Sequence, residues 1–181
     1  MAIISETVNE LMFDYDKLDE AALLALLERL SPKLRRWVAA HHPDNRTRKK
    51  VLRSTNVQIG ARSVINSGIV ISDNYKPLLR IGDRVAVSPN VTFVCASGPN
   101  NSLLQHCPEL QAKHIVEDHV TVEDDVWIGA GAVILPGVRI CRGAVIGAGA
   151  VVTRSAPAWS CCVGVPARTT RTLTPEPGAP E

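Results

Sequence analysis

The sequence predicts a mainly β fold, a β-helix with a helical segment ahead of it and a long loop extruded from its side. Three observations predict it. From Val116 to Thr153 an aliphatic residue opens every sixth position: Val116, Val122, Ile128, Ile134, Ile140, Ile146 and Val152. The fifth place of each block is small or β-branched: Val120, Val126, Ala132, Val138, Ala144 and Ala150. A period of six fits neither a helix (3.6) nor a simple strand (2), and marks a three-sided coil in which each block supplies one face and one corner. Second, aromatic residues are only 4% of a chain that is 45% hydrophobic, as a shaft of stacked Val, Ile and Ala requires. Third, the chain before residue 54 has a different period. Leu18, Leu23, Leu24, Leu26, Leu27 and Leu30 form a helical stripe, so a separate N-terminal element is expected.

In order, residues 1–54 are expected to be that helical segment. Asp16 or Asp19 is placed to cap the Leu-rich helix, and Ser31-Pro32 reads as N-cap and first turn of a second helix carrying Leu34, Trp37 and Val38. His41-His42-Pro43 ends it, and a short third helix starts at Asp44 with Arg46, Arg48, Lys49, Lys50 and Arg53. Those charges read as a solvated face, or alternatively as phosphate contacts. The most economical role for the segment is to cap one open end of the coil.

Residues 55–156 are expected to be the coil. Its phase starts near Ile59, pauses at Asp73-Asn74-Tyr75-Lys76-Pro77, resumes at Ile81, and pauses again over 95–115. Gly-Pro-Asn-Asn and Cys-Pro mark that second pause as an extruded loop, and long loops on rigid scaffolds are usually functional. The pattern ends near Pro157, leaving 157–181 as a C-terminal segment with a Pro-rich, flexible tail (TPEPGAPE).

A formal net charge of +2 gives no footprint for nucleic acid or a membrane surface. No apolar run approaches a membrane span, and the N-terminus lacks the regions of a signal peptide, so a cytoplasmic protein is expected. Five Cys without a CxxC pair indicate neither a disulfide framework nor a thiolate zinc cage.

INSG around Asn66, IGDRVAVSPNVTF, EDDVWIGAGAVILPGVRICRGAVIGAGAVVTR and VGVPAR resemble the hexapeptide-repeat acyltransferases, in particular the galactoside/maltose acetyltransferase group. The resemblance covers roughly residues 57–170. It implies a left-handed parallel β-helix, a homotrimer with sites between subunits, acetyl-CoA as cosubstrate without a metal, and a small acceptor, a sugar or sugar-derived metabolite. Residue by residue, it implies that Trp127 lines the acceptor or cofactor cleft. Gly129, Ala130 and Ala148 would border the pantetheine arm, or simply turn the coil tightly. Thr153, Arg154 and Arg168 match contacts to the adenine and phosphates. Asn66 matches an acceptor ligand, and Asn74 falls where an acidic one is expected, a charge that Asp73 could supply.

The resemblance also implies a general-base His eight residues after Asn90, followed by Pro. That place is Gly98, with Pro99 after it. His106 is the first substitute, His114 the second, and His119 the third; an amine acceptor could instead react with little help. Two alternatives follow. One is a CoA-binding scaffold without activity. The other is a metal enzyme like the γ-class carbonic anhydrases, which share the coil and use an HxxxxH spacing such as that of His114 and His119.

Overall fold

Successive short strands fall on three faces in rotation. In the computed structural model, which describes residues 2–175, one face stacks strands 58–59, 79–81, 120–122 and 139–140. A second stacks 64–65, 86–87, 127–128, 145–146, 160–163 and 168–172, and a third stacks 70–72, 92–94, 133–134 and 151–152. Apart from the last strand of the second face, every pairing within the three is parallel and joins strands one full turn apart. The chain therefore winds as a mainly β, three-faced coil.

The six-residue period is the register of that coil. Ile128 pairs with Val87 below and Ile146 above, and Ile134 with Phe93 and Val152. All six of these side chains are buried at 1% exposure or less, each worth about 1.5–3 kcal/mol of apolar burial. The fifth-place residues, Val120 to Ala150, are buried as well. Val116 is the exception. It is 37% exposed and lies in a short strand, 116–117, that pairs antiparallel with 96–97 outside the three faces. Its sequence phase is shared with the shaft, but its pairing is not.

The helical segment holds one helix more than the sequence suggested. A first helix, α1 (Ala2–Phe13), precedes the Leu-rich α2 (Glu20–Glu28), α3 (Pro32–His41) and α4 (Asn45–Arg53). Asp19, Ser31 and Asp44 accept from the backbone N–H groups of Ala22, Leu34 and Thr47, so three helix starts are capped by side chains. The buried side chains of these helices join those of the coil in one continuous core.

The basic stretch of α4 is a solvated face only in part: Arg46 and Arg53 are exposed, but Arg48 and Lys49 are buried. Arg48, at 3% exposure, donates to the carbonyls of Ile65 and His42, and Lys49 Nζ donates to Ala61 O at 2.7 Å. Arg53 reaches Ile59 O at 2.7 Å. Strands 58–59 and 64–65 are edge strands of their faces, with no preceding turn to take their carbonyls. Cations on α4 take that place, and Asn45 Oδ1 accepts from Ile65 N–H at 2.8 Å. An open sheet edge is thereby closed.

At the far end the coil does not stop at Pro157. Ser160–Val163 adds another parallel strand beside 145–146, and Arg168–Thr172 turns back antiparallel against it. Most of TPEPGAPE lies outside the described residues. No described helix is long and apolar enough to cross a membrane.

Candidate active site

The second turn of the coil is interrupted after strand 92–94, and the interruption builds a site. The chain leaves through 96–97, makes a 3-10 turn at Leu103–His106 and a short helix, α5 (Pro108–Lys113), and returns through 116–117. The antiparallel pair Ala96–Glu117 and Ser97–Val116 closes its base. Where this ribbon leaves the coil there is a cavity of about 500 Å³ lined by Ser72, Asn74, Ser97, Gly98, Asn100 and Glu117, with apolar wall from Val94, Ile115 and Val116.

Gly98 lies on that wall, and it is not glycine for conformational reasons. Its φ lies outside the left-handed region, and a Cβ there would meet only Ile115 Cγ2, at 3.7 Å. A side chain would fit; the space belongs to the cavity.

Asn74 also faces the cavity, in the left-handed conformation (φ +51°) that Asn tolerates. Its Nδ2 donates to Glu117 Oε2 at 3.2 Å, and Lys76 Nζ donates to Glu117 Oε1 at 2.6 Å. The Lys76 bond first, and the Asn74 bond second, lower the Glu117 pKa below its ordinary value. An ionised carboxylate thus stands beside Asn74 after all, supplied from 43 residues away. Sequence reading missed Glu117, because only the antiparallel ribbon brings it here.

Asp73 is not free to supply that charge. It is 2% exposed, accepts from Arg36 Nη2 at 2.7 Å and Tyr75 N–H at 3.0 Å, and ties the coil to the helical segment. Asn66 is half-buried, and its Nδ2 donates to Val87 O at 2.9 Å.

Among the loop imidazoles, His106 is exposed in the 3-10 turn, its Nε2 3.1 Å from Gln105 Nε2, and His114 is exposed at the end of α5. Neither lines the cavity at Gly98, nor does His119, which is exposed just before strand 120–122. Among the described residues, no three His, Cys, Asp or Glu side chains are grouped to hold a metal. Cys95 is buried, and burial raises its pKa to about 11, which leaves an inert thiol.

The expected cofactor residues occupy the upper turns. Trp127 projects outward, 56% exposed, in a row with Ala86 and Val145 on the second face. Gly129 is shaped by the coil itself: a Cβ would lie 2.5 Å from the backbone N of Ala148 on the next turn. Ala130 and Ala148 are exposed at the same corner, with Ala130 O accepting from Gly149 N–H at 2.8 Å. Beyond them, Arg154 and Arg168 line one recess of about 170 Å³ with Ser155, Pro157 and Thr169, directly after the exposed Thr153. The two arginines come to this recess from separate segments, and Arg168 Nη1 donates to Ala167 O at 2.9 Å.

Residues 119–154 match the bacterial transferase hexapeptide family, six repeats. Galactoside O-acetyltransferase of Escherichia coli K12 is 36% identical over 119 residues, which is 66% of this chain and 55% of the relative. The chain spans about half the length of the curated relatives it matches. A hexapeptide-repeat acetyltransferase from Vibrio cholerae superposes with a TM-score of 0.64 at 27% identity, covering 84% of this chain and 93% of that one. A galactoside acetyltransferase in complex with coenzyme A gives 0.63 at 27% identity, covering 87% and 84%.

Proposed function

We propose that this chain, which belongs with the galactoside/maltose-like group of hexapeptide-repeat acetyltransferases, moves an acetyl group from acetyl-CoA to a hydroxyl or amine of a small acceptor, a sugar or sugar-derived metabolite. The acceptor atom attacks the thioester carbonyl carbon, the C–S bond breaks, and the proton lost by the acceptor ends on the thiol of CoA. The chain would work in the cytoplasm as a homotrimer of left-handed β-helices. Its helical segment (1–54) would cap the coil (55–156), and 157–181 would attend the cofactor.

The observation that carries this reading is the recess shared by Arg154 and Arg168. Guanidinium forks match phosphate oxygens, and a ligand held there would extend past Ala148, Ala130, Gly129 and Trp127. Asn66, Asn74 and Asp73 would stand at the acceptor end, with Asp73 holding Asn74 in place through its bonds to Arg36 and Tyr75. Calorimetric titration with acetyl-CoA tests the cofactor half. Binding should weaken at least tenfold in Arg154→Ala and Arg168→Ala, and unchanged binding in both would overturn the placement.

A second reading rests on Gly98: CoA binding without transfer. Release of CoA thiol in the presence of an acceptor separates the two. His106→Ala and His114→Ala ask whether a loop imidazole acts as base: only a loss of about a hundredfold would identify one.

A further inference from the structure

Acyl transfer from a thioester needs an acceptor atom with an available lone pair. A hydroxyl obtains one by giving its proton to a base in reach, about 2.6–3.2 Å away or through one water. A neutral amine already has it. The cavity at the root of the ribbon has no imidazole on its wall; among the described residues its one ionisable lining side chain is Glu117. That carboxylate is already the acceptor of two hydrogen bonds, from Lys76 and Asn74. It is well made to receive donors and poorly made to take a proton from a hydroxyl. Each of its oxygens keeps a further lone-pair direction for a ligand.

Resting on the acetyltransferase reading above, we propose that the acceptor is an amine-bearing small molecule, of the amino-sugar kind, and that Glu117 binds it. The amine or its ammonium form donates to Glu117, and Asn74 and Lys76 hold the carboxylate in one orientation. Gly98 leaves open the space that a side chain would fill, giving the acceptor room beside the thioester. The neutral amine attacks, the C–N bond forms as the C–S bond breaks, and the nitrogen proton passes to the departing CoA thiolate. No oxidant or further reactant is needed. The nucleophile's own ionisation, and not that of a protein imidazole, sets the pH dependence.

The test uses the full chain with acetyl-CoA and sugar pairs that differ only by hydroxyl against amine, such as glucose with glucosamine and galactose with galactosamine. The readouts are acetyl-CoA affinity and CoA thiol release. The amine of a pair should be preferred by about a hundredfold or more in kcat/KM, with a rate that rises with pH along the amine's own titration. Glu117→Gln should raise the amine KM at least tenfold with acetyl-CoA affinity unchanged, and Glu117→Asp should recover part of it. His106→Ala, His114→Ala and His119→Ala should stay within a few-fold of the parent.

Equal or better use of the hydroxyl sugars would overturn the proposal. So would an unaltered KM in Glu117→Gln, a hundredfold loss in any of the three His variants, or transfer to neither member of any pair while acetyl-CoA binds. Failure to bind acetyl-CoA at all would instead sink the acetyltransferase reading.

Discussion

The upper turns of the coil (120–152) and the ribbon that precedes them (95–119) use the same kinds of residue under opposite constraints. In the coil, each side chain is fixed from two sides by the turns below and above. Ile134, between Phe93 and Val152, has no exposure at all. In the ribbon, Leu103 is 86% exposed and Leu104 55%. The ribbon supplies Ser97, Gly98, Asn100 and Glu117 to the cavity wall, whereas the upper turns carry the exposed Trp127 on a strand fixed by its neighbours. Regularity supplies the rigid wall, and irregularity supplies the groups that meet a ligand.

The largest expected difference between them is in stability. Ile134→Ala should cost about 2–5 kcal/mol, the range for truncating a fully buried aliphatic side chain, whereas Leu103→Ser should stay within about 0.5 kcal/mol. Urea unfolding of the two variants checks it. Comparable losses at both positions would mean that the ribbon is as deeply packed as the shaft.

The contrast can be extended to the coil's lower end, where helix α4 stands in for a missing turn. Arg48→Met keeps most of the packing volume but leaves the carbonyls of Ile65 and His42 without their donor. Unsatisfied buried acceptors cost about 1–3 kcal/mol, and denaturant midpoints should fall accordingly. If Arg48→Met is as stable as the parent, the edge is satisfied by water and α4 is an accessory.

These two predictions also mark what was legible beforehand. The shaft was legible because its constraint is periodic: Ile128, Ile134, Ile140 and Ile146 repeat at the spacing of the turns they fill. The helix starts at Ser31 and Asp44 were legible because capping is local in sequence, and Asp19 was one of two candidates with Asp16. Arg48, Lys49 and Arg53 were not, since their partners are carbonyls of a coil edge that exists only once the chain has wound. Val116 misled for the converse reason: it keeps the aliphatic spacing but is drawn out of the shaft by pairing with Ser97. Glu117 escaped notice because its partners, Asn74 and Lys76, are more than 40 residues away and nothing in its immediate sequence points to them.

A smaller effect separates turns that are zipped by charge from the ribbon. Asp125 accepts from Arg84 Nη2 at 2.8 Å and Arg142 Nε at 3.1 Å, linking three successive turns at one corner. The Arg84 bonds, above all, lower its pKa in the fold. A carboxyl depressed by folding contributes stability above its unfolded pKa of about 3.9, and that contribution is lost as pH falls through the lowered folded value. Acid titration of unfolding should therefore show a decline below about pH 4 that is shallower in Asp125→Asn, with a difference at neutral pH of about 1 kcal/mol or less for such partly exposed pairs. Identical slopes in both proteins would assign the acid sensitivity elsewhere, with Glu123 the next carboxylate to replace.

Gly98→His should change stability least and chemistry most. The backbone there admits any residue, and the new Cβ would meet one methyl group at ordinary contact distance, so unfolding should shift by no more than about 0.5 kcal/mol. The imidazole would enter a cavity whose wall otherwise carries Glu117 as its one ionisable side chain among the described residues. A positioned base accelerates proton removal by about 10²–10⁴-fold. Transfer to hydroxyl sugars should therefore rise by at least tenfold, allowing for imperfect alignment. Transfer to the amine partners should change little, because the neutral amine has no proton to lose before attack. The ratio of the two rates is the informative quantity, since it cancels any general effect of the substitution on cofactor binding. A parallel rise for both acceptors would mean that a base is limiting for amines too, and the ribbon's departure from the coil would then have removed a catalytic group without replacing its function.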